Sequence, residues 1–248
     1  MSGGSVISPA LAVALLVAVA AGVGGWARLG QARAVATATA RAVVQLLAVG
    51  ALIGLIFRTP ALAPLYLVVM LGTAAATSGR RLGQAPGAGR AAGLAIAAGA
   101  GISAVVVFGS GALPFDTRSA VPLIAQLIGG SMTATTLAGQ RLIDDVTAGW
   151  IEVEGWLALG ATARQAVLEP ARRSAARALV PALDQTRSVG LVVLPGAFVG
   201  LLLGGATPLQ AGRVQLLVLV GLLASETVAA VTVTRLLSAG LGATRPGA

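Results

Sequence analysis

Glu226 is a carboxylate in apolar surroundings. The run 214–237 holds no other acid, and its one base is Arg235, nine residues further on. At 1.5 Å per residue Glu226 therefore lies about 13 Å inside the run. A carboxylate at that depth in a lipid-spanning helix is costly and marks a functional site by default. It can contact a cation, or it can be neutralised by a proton or by a polar neighbour on another helix. A second set of groups lies in the run 121–138 and just past it. At 100° per residue Gln126, Gly129, Gly130, Thr133, Thr136 and Gln140 fall within about 120° of one helical face. Amides turned to hydrocarbon lose their hydrogen bonds, so this face is expected to point away from lipid. It either lines a translocation pathway or packs against another helix. Ser131 and Thr135 fall on the opposite side, where a bond back to their own helix is expected. Arg41 and Gln45 share a face one turn apart; Arg41 is expected to snorkel to the interface, with a place in the pathway as the alternative.

Other chemistry is excluded by what the chain lacks. All 17 basic residues are arginine, and there is no lysine, histidine or cysteine. Disulfides, thiolates and imidazole ligands are therefore absent. With Met70 and Met132 the sole methionines in the apolar runs, a tight transition-metal site is hard to build. At most a loose, oxygen-lined route through Gln, Thr and Glu226 remains, and the metal ligands stay unknown. The apolar runs hold no paired carboxylates, so no catalytic group assembles and an enzyme is not expected. A Walker A loop needs a lysine for the β- and γ-phosphates, so this chain cannot carry one. It binds no cofactor of its own, and any ATP and Mg²⁺ must be held by a partner.

These residues must be positioned by apolar elements. The chain is 56% hydrophobic and 10% charged, where a soluble domain carries about 25% charged residues. Crossing about 30 Å of hydrocarbon takes about 20 apolar residues. Seven segments qualify: 9–25, 36–57, 60–78, 91–108, 121–138, 189–204 and 214–237. The expected fold is thus an all-α membrane protein of about seven spanning helices. The first segment has no base before it and Arg28 and Arg33 after it, which suits a retained helix rather than a secretory signal. The net charge of +9 does not point to nucleic acid, because the arginines sit in short loops between apolar runs. Arg28, Arg33, Arg41, Arg80, Arg81, Arg90, Arg141, Arg164, Arg172, Arg173, Arg177, Arg187, Arg235 and Arg245 fall on one side, against Arg58, Arg118 and Arg213 on the other. That asymmetry predicts the N-terminus out and the C-terminus in, in the inner membrane of a bacterium.

One connection differs from the rest. Residues 140–187 hold Asp144, Asp145, Glu152, Glu154, Glu169 and Asp184, and 150–180 reads as a cytoplasmic helical hairpin. Pro170 is expected at a first helical position, and Glu169 is spaced to pair with Arg173 across one turn. Within this loop Glu154, followed at six and seven residues by Gly160 and Ala161, resembles the coupling segment of ABC permeases, the EAA type. Such a segment enters a cleft on an ATPase, so small residues suit its closest approach, and Thr162 can cap the turn that follows. An ordinary turn between two cytoplasmic helices is the alternative.

A wider resemblance covers residues 41 to 237. The stretches 40–57 (ARAVVQLLAVGALIGLIF), 129–142 (GGSMTATTLAGQRL), 157–166 (LALGATARQA) and 179–205 (LVPALDQTRSVGLVVLPGAFVGLLLGG) are similar to the FetB-type permeases, iron-export ABC permeases with plant aluminium-tolerance relatives. Gly130 stands where that pattern has an asparagine. The resemblance implies a half-transporter, two permease copies with two copies of a separate ATPase, and iron as cargo. Within 189–204, Pro195 and Gly196 predict a kink, with a hinge as its functional reading. Two further readings stay open: a permease for another polar solute such as a nucleotide sugar, and an ion-coupled secondary transporter using Glu226.

Overall fold

The computed structural model describes residues 7–83 and 85–243, which are helical and contain no strand. Helices α1 (Ile7–Trp26) and α2 (Ala32–Arg58) pack on each other and form one compact unit. The second unit begins at Ala61, within a 3-10 turn, Pro60–Leu62, and continues with α3 (Ala63–Arg81), α4 (Ala88–Gly109) and α5 (Thr117–Ala148). Four short helices follow: α6 (Trp150–Ala158), α7 (Ala163–Ala166), α8 (Leu168–Ala178) and α9 (Val180–Ser188). The unit ends with α10 (Gly196–Leu203) and α11 (Pro208–Leu241).

Local sequence explains where the long helices begin. Asp116 caps α5 by accepting the Ser119 N–H at 2.9 Å. Thr207 and Gln210 form a reciprocal capping box at the start of α11, where Pro208 occupies the first turn without losing a bond. In the second unit α11 packs along α4 and α5, and α3 packs along the other side of the same pair. The contacts are made by small residues. Ala92, Ala95, Ala134, Ala138, Ala229 and Ala230 are all buried, which lets the backbones approach.

Five helical stretches are long and apolar enough to cross a membrane: Ala32–Arg58, Pro60–Arg81, Ala88–Gly109, Thr117–Ala148 and Pro208–Leu241. They contain the expected segments 36–57, 60–78, 91–108, 121–138 and 214–237. The first segment falls in α1, whose apolar stretch Ala10–Trp26 is a little shorter.

The segment 189–204 is not one spanning helix. Residues after α9 turn back on themselves, with the Gly190 N–H donating to the Val193 carbonyl and Gly190 at φ +80°. The expected kink at Pro195 and Gly196 is instead a helix start: Pro195 is extended and α10 runs for eight residues from Gly196. Proline lacks the N–H that a continuous helix would need there. The chain still travels the length of α11, because α10 leads into its first turn while Gly242, at its end, lies against the Ala163 backbone.

The loop 140–187 also differs in detail from a hairpin. Helix α5 extends to Ala148, beyond its apolar segment, and four short helices replace two. Pro170 is the third residue of α8 rather than the first, since the helix starts at Leu168. Glu169 and Arg173 form no ion pair; Arg177 instead reaches across to Asp145 on α5 at 3.6 Å.

Candidate functional site: a carboxylate between two helices and a corner of short helices

Glu226 lies on α11 where it faces α5. A Cβ added at Gly130 would stand 2.9 Å from Glu226 Oε1 and 2.8 Å from Leu222 Cδ2, so the carboxylate occupies the space a side chain at 130 would take. Among the described residues it accepts no hydrogen bond and makes no ion pair. Beside it Gln126, Gly129 and Thr133 are exposed, and the Thr133 hydroxyl donates to the Gly129 carbonyl at 3.1 Å. Gln140, lower on the same face, donates to the Arg81 carbonyl at 3.2 Å.

The expected polar face is divided by the packing. Thr136 is buried and bonds Ser78 of α3 at 2.9 Å, so it belongs to a helix contact and not to the exposed stripe. On the opposite side Ser131 does not bond back to its own helix. It bonds Ser225 of α11 at 2.5 Å, and Ser225 in turn donates to the Leu127 carbonyl. Gly99 of α4 completes this contact, lying against the Ser225 carbonyl and the Ser131 hydroxyl. Three helices are thus pinned together one residue away from Glu226. Thr135 is buried with its hydroxyl unpaired. Arg41 and Gln45 are both exposed on α2.

The second candidate region is the corner between α6 and α7. Gly160 adopts φ +88°, which reverses the chain where a side chain would be strained. Thr162 then caps α7, accepting the Gln165 N–H at 3.3 Å while Gln165 Oε1 accepts the Thr162 N–H at 2.8 Å. Glu154 is exposed on α6, and Ala161 is half-buried at the turn. An open cleft of about 600 Å³ is lined here by Glu152, Trp156, Leu159, Gly160, Gln165 and Glu169. Leu159, 82% exposed, projects at its edge. Behind this surface Val153, Ala166 and Val167 are buried in one core with Leu142 and Val146 of α5 and Leu237 and Leu241 of α11. Ser174 and Arg177 of α8 both hold Asp145 of α5. The corner is therefore tied to the C-terminal halves of the two helices that carry Gly130 and Glu226.

No group of three or more His, Cys, Asp or Glu side chains that would hold a metal occurs among the described residues. A residue missed by sequence reasoning is Gln215, buried on α11 with its Oε1 unpaired. Its signal was available: it is a lone amide in the apolar run that also holds Glu226.

Comparison with known proteins bears on residues 7–241, which match the family model described as Uncharacterised protein family (UPF0014). The chain belongs to this family. It is a membrane protein, and its relatives include named transport proteins. It is 30% identical over 238 residues to "Probable iron export permease protein FetB" of Escherichia coli, covering 93% of this chain and 90% of that one. It is 35% identical over 228 residues to "UPF0014 membrane protein STAR2" of rice, covering 91% and 80%. To "Protein ALUMINUM SENSITIVE 3" of Arabidopsis thaliana it is 38% identical over 167 residues, 67% of this chain and 61% of that protein. No solved structure matches it. The resemblance read from the four quoted stretches is thus the correct family.

Proposed function

We propose that this chain is the membrane subunit of an ABC exporter for a metal ion, working as a pair of permease copies driven by a separate ATPase. The carrying observation is the Glu226 carboxylate, unpartnered against Gly130 and flanked by exposed Gln126, Gly129 and Thr133, in spans that are otherwise apolar. Such a face is not stable against lipid. A second copy set against α5 and α11 would cover it and enclose a route lined by oxygen and by one carboxylate per copy. Hard oxygen ligands suit a cation held loosely enough to leave, and iron is the cargo named for the Escherichia coli relative. Arg41 and Gln45 are the pathway candidates on α2, and Pro195 and Gly196, at the start of α10, are the hinge candidates.

In this reading the chain crosses a bacterial inner membrane seven times, N-terminus out and C-terminus in, the sixth crossing being the broken stretch that ends in α10. Glu154, Gly160, Ala161 and Thr162 dock on the ATPase, which supplies ATP and Mg²⁺. The rigid tie from this corner to α5 and α11 supports the assignment, because motion imposed there reaches the Glu226 helix directly.

The test is to purify the tagged chain with whatever ATPase accompanies it, reconstitute the complex, and measure Fe²⁺-stimulated ATP hydrolysis and export. Glu226→Gln is expected to abolish the stimulation with assembly intact. Transport that needs no ATPase and collapses with the proton gradient would instead establish the ion-coupled reading. Normal export by Glu226→Gln removes the carboxylate from the pathway.

A further inference from the structure

The broken crossing leaves a cavity of about 330 Å³ between the stretch 189–198 and the first half of α11. Its walls are Val189, Leu194, Pro195 and Phe198 on one side and Leu216 and Leu219 on the other, with Gly190 and Gly212 leaving room. No charged residue lines it. Its one polar side chain is Gln215, which is 5% exposed and whose Oε1 is sequestered without a partner. A polar atom hidden in this way costs more than the bond it lacks would return, so an amide in this position calls for a donor. The wall does not supply one. The Gly190 N–H already donates to Val193, and those of Leu191, Val192 and Val193 donate to the Ser188 carbonyl. A water molecule alone fits poorly, because an ordered buried water is held by two to four polar partners. The volume instead falls within the range of small-molecule sites, which are largely apolar with few polar anchors.

We infer that this cavity is a binding site for a lipid-phase amphiphile with an apolar body and a single hydroxyl group, anchored on Gln215. Oε1 lies beneath the cavity surface, so a small rotation of the Gln215 side chain brings the amide to the hydroxyl, which both donates and accepts and pairs with it whichever way its oxygen and nitrogen are turned. The apolar body fills the space against Leu194, Phe198, Leu216 and Leu219. Bound there, it joins the non-helical stretch before α10 to α11, and so sets how freely the broken crossing moves. This site does not depend on the transport reading; it stands on the cavity and the orphaned amide.

The experiment uses the full chain in phospholipid vesicles and a diazirine-bearing octanol as photolabel, with adducts mapped by mass spectrometry. Adducts are expected in peptides covering 189–198 and 212–219. Gln215→Met keeps the shape and removes the amide, and is expected to reduce them at least tenfold. Gly212→Leu is a second variant: Gly212 lines the cavity and a Cβ there meets nothing within 4 Å, so the added side chain starts into open space and competes for the site, with the same expected loss. Unlabelled octanol should compete at least tenfold better than octyl methyl ether, which cannot donate. Adducts at exposed Leu65 and Val69 of α3, which do not line the cavity, provide the control and should not change. The inference is overturned if the site adducts persist in Gln215→Met, if alcohol and ether compete alike, or if α3 is labelled while neither site peptide is.

Discussion

Substituting Gly99 by alanine tests the three-helix contact that holds Glu226 in place. A Cβ at 99 would stand 2.6 Å from Ser131 Oγ and 3.1 Å from Ala229 Cβ, and closer still to the Ser225 carbonyl. The carbonyl is helix backbone, and the Ser131 hydroxyl is held by Ser225, so neither can step aside. Helix α4 must move away from α5 and α11. Overpacking of this kind costs about 1–3 kcal/mol. Gly101→Ala on the same helix is the control, because a Cβ there meets nothing within 4 Å. Both variants gain the same helix propensity, about 1 kcal/mol, so their difference isolates the clash. Equilibrium unfolding in mixed micelles with increasing SDS should therefore separate Gly99→Ala from Gly101→Ala by a factor of about 5 to 150 in the unfolding constant. Because Ser225 adjoins Glu226, export by Gly99→Ala should fall as well. Equal stability of the two variants would refute the close contact and the reasoning built on it.

Three further outcomes follow from the same geometry. In a double-mutant cycle of Ser131→Ala and Ser225→Ala, the coupling should be about 0.6 kcal/mol and no more than about 1.7, as for other hydrogen bonds within membranes; additive variants would deny the bond. Thr162→Ala removes the cap of α7 and should cost about 1 kcal/mol, read by SDS unfolding, while lowering cargo-stimulated ATP hydrolysis more than basal hydrolysis. Leu159→Glu leaves folding unchanged, since the side chain is 82% exposed, but should weaken co-purification of the ATPase at least tenfold.

The spanning helices were legible because lipid makes one demand that composition answers. About 20 residues without charge are enough to mark a helix, whatever its neighbours. The cap at Thr162 was legible for a similar reason: its partner Gln165 is three residues away. The break before α10 was not. Hydropathy registers that 189–204 is apolar, but not that Gly190 and Pro195 stop its backbone from continuing as a helix. A face defined only by angle was too coarse to divide the α5 polar groups. Thr136 bonds Ser78, 58 residues away, and Ser131 bonds Ser225, 94 residues away, and periodicity holds no record of such partners. The Glu226–Gly130 contact was half visible, because each residue is distinctive alone while their meeting depends on how α11 lies on α5.

The junction of α11 with the Ala163 backbone gives that helix the properties of a lever. It runs unbroken from Pro208 to Leu241, pinned near its middle by Gly99 and Ser131. From Ser225 to Leu241 the arm is about 24 Å, so a 5° tilt about the pin would displace the Leu241 end, with the core that Leu237 and Leu241 share with α5 and α8, by about 2 Å. Glu226, beside the fulcrum, would hardly translate but would turn with the helix. Under the proposed coupling, a modest stroke at the corner would be converted into reorientation of a carboxylate, a change of aim rather than of place.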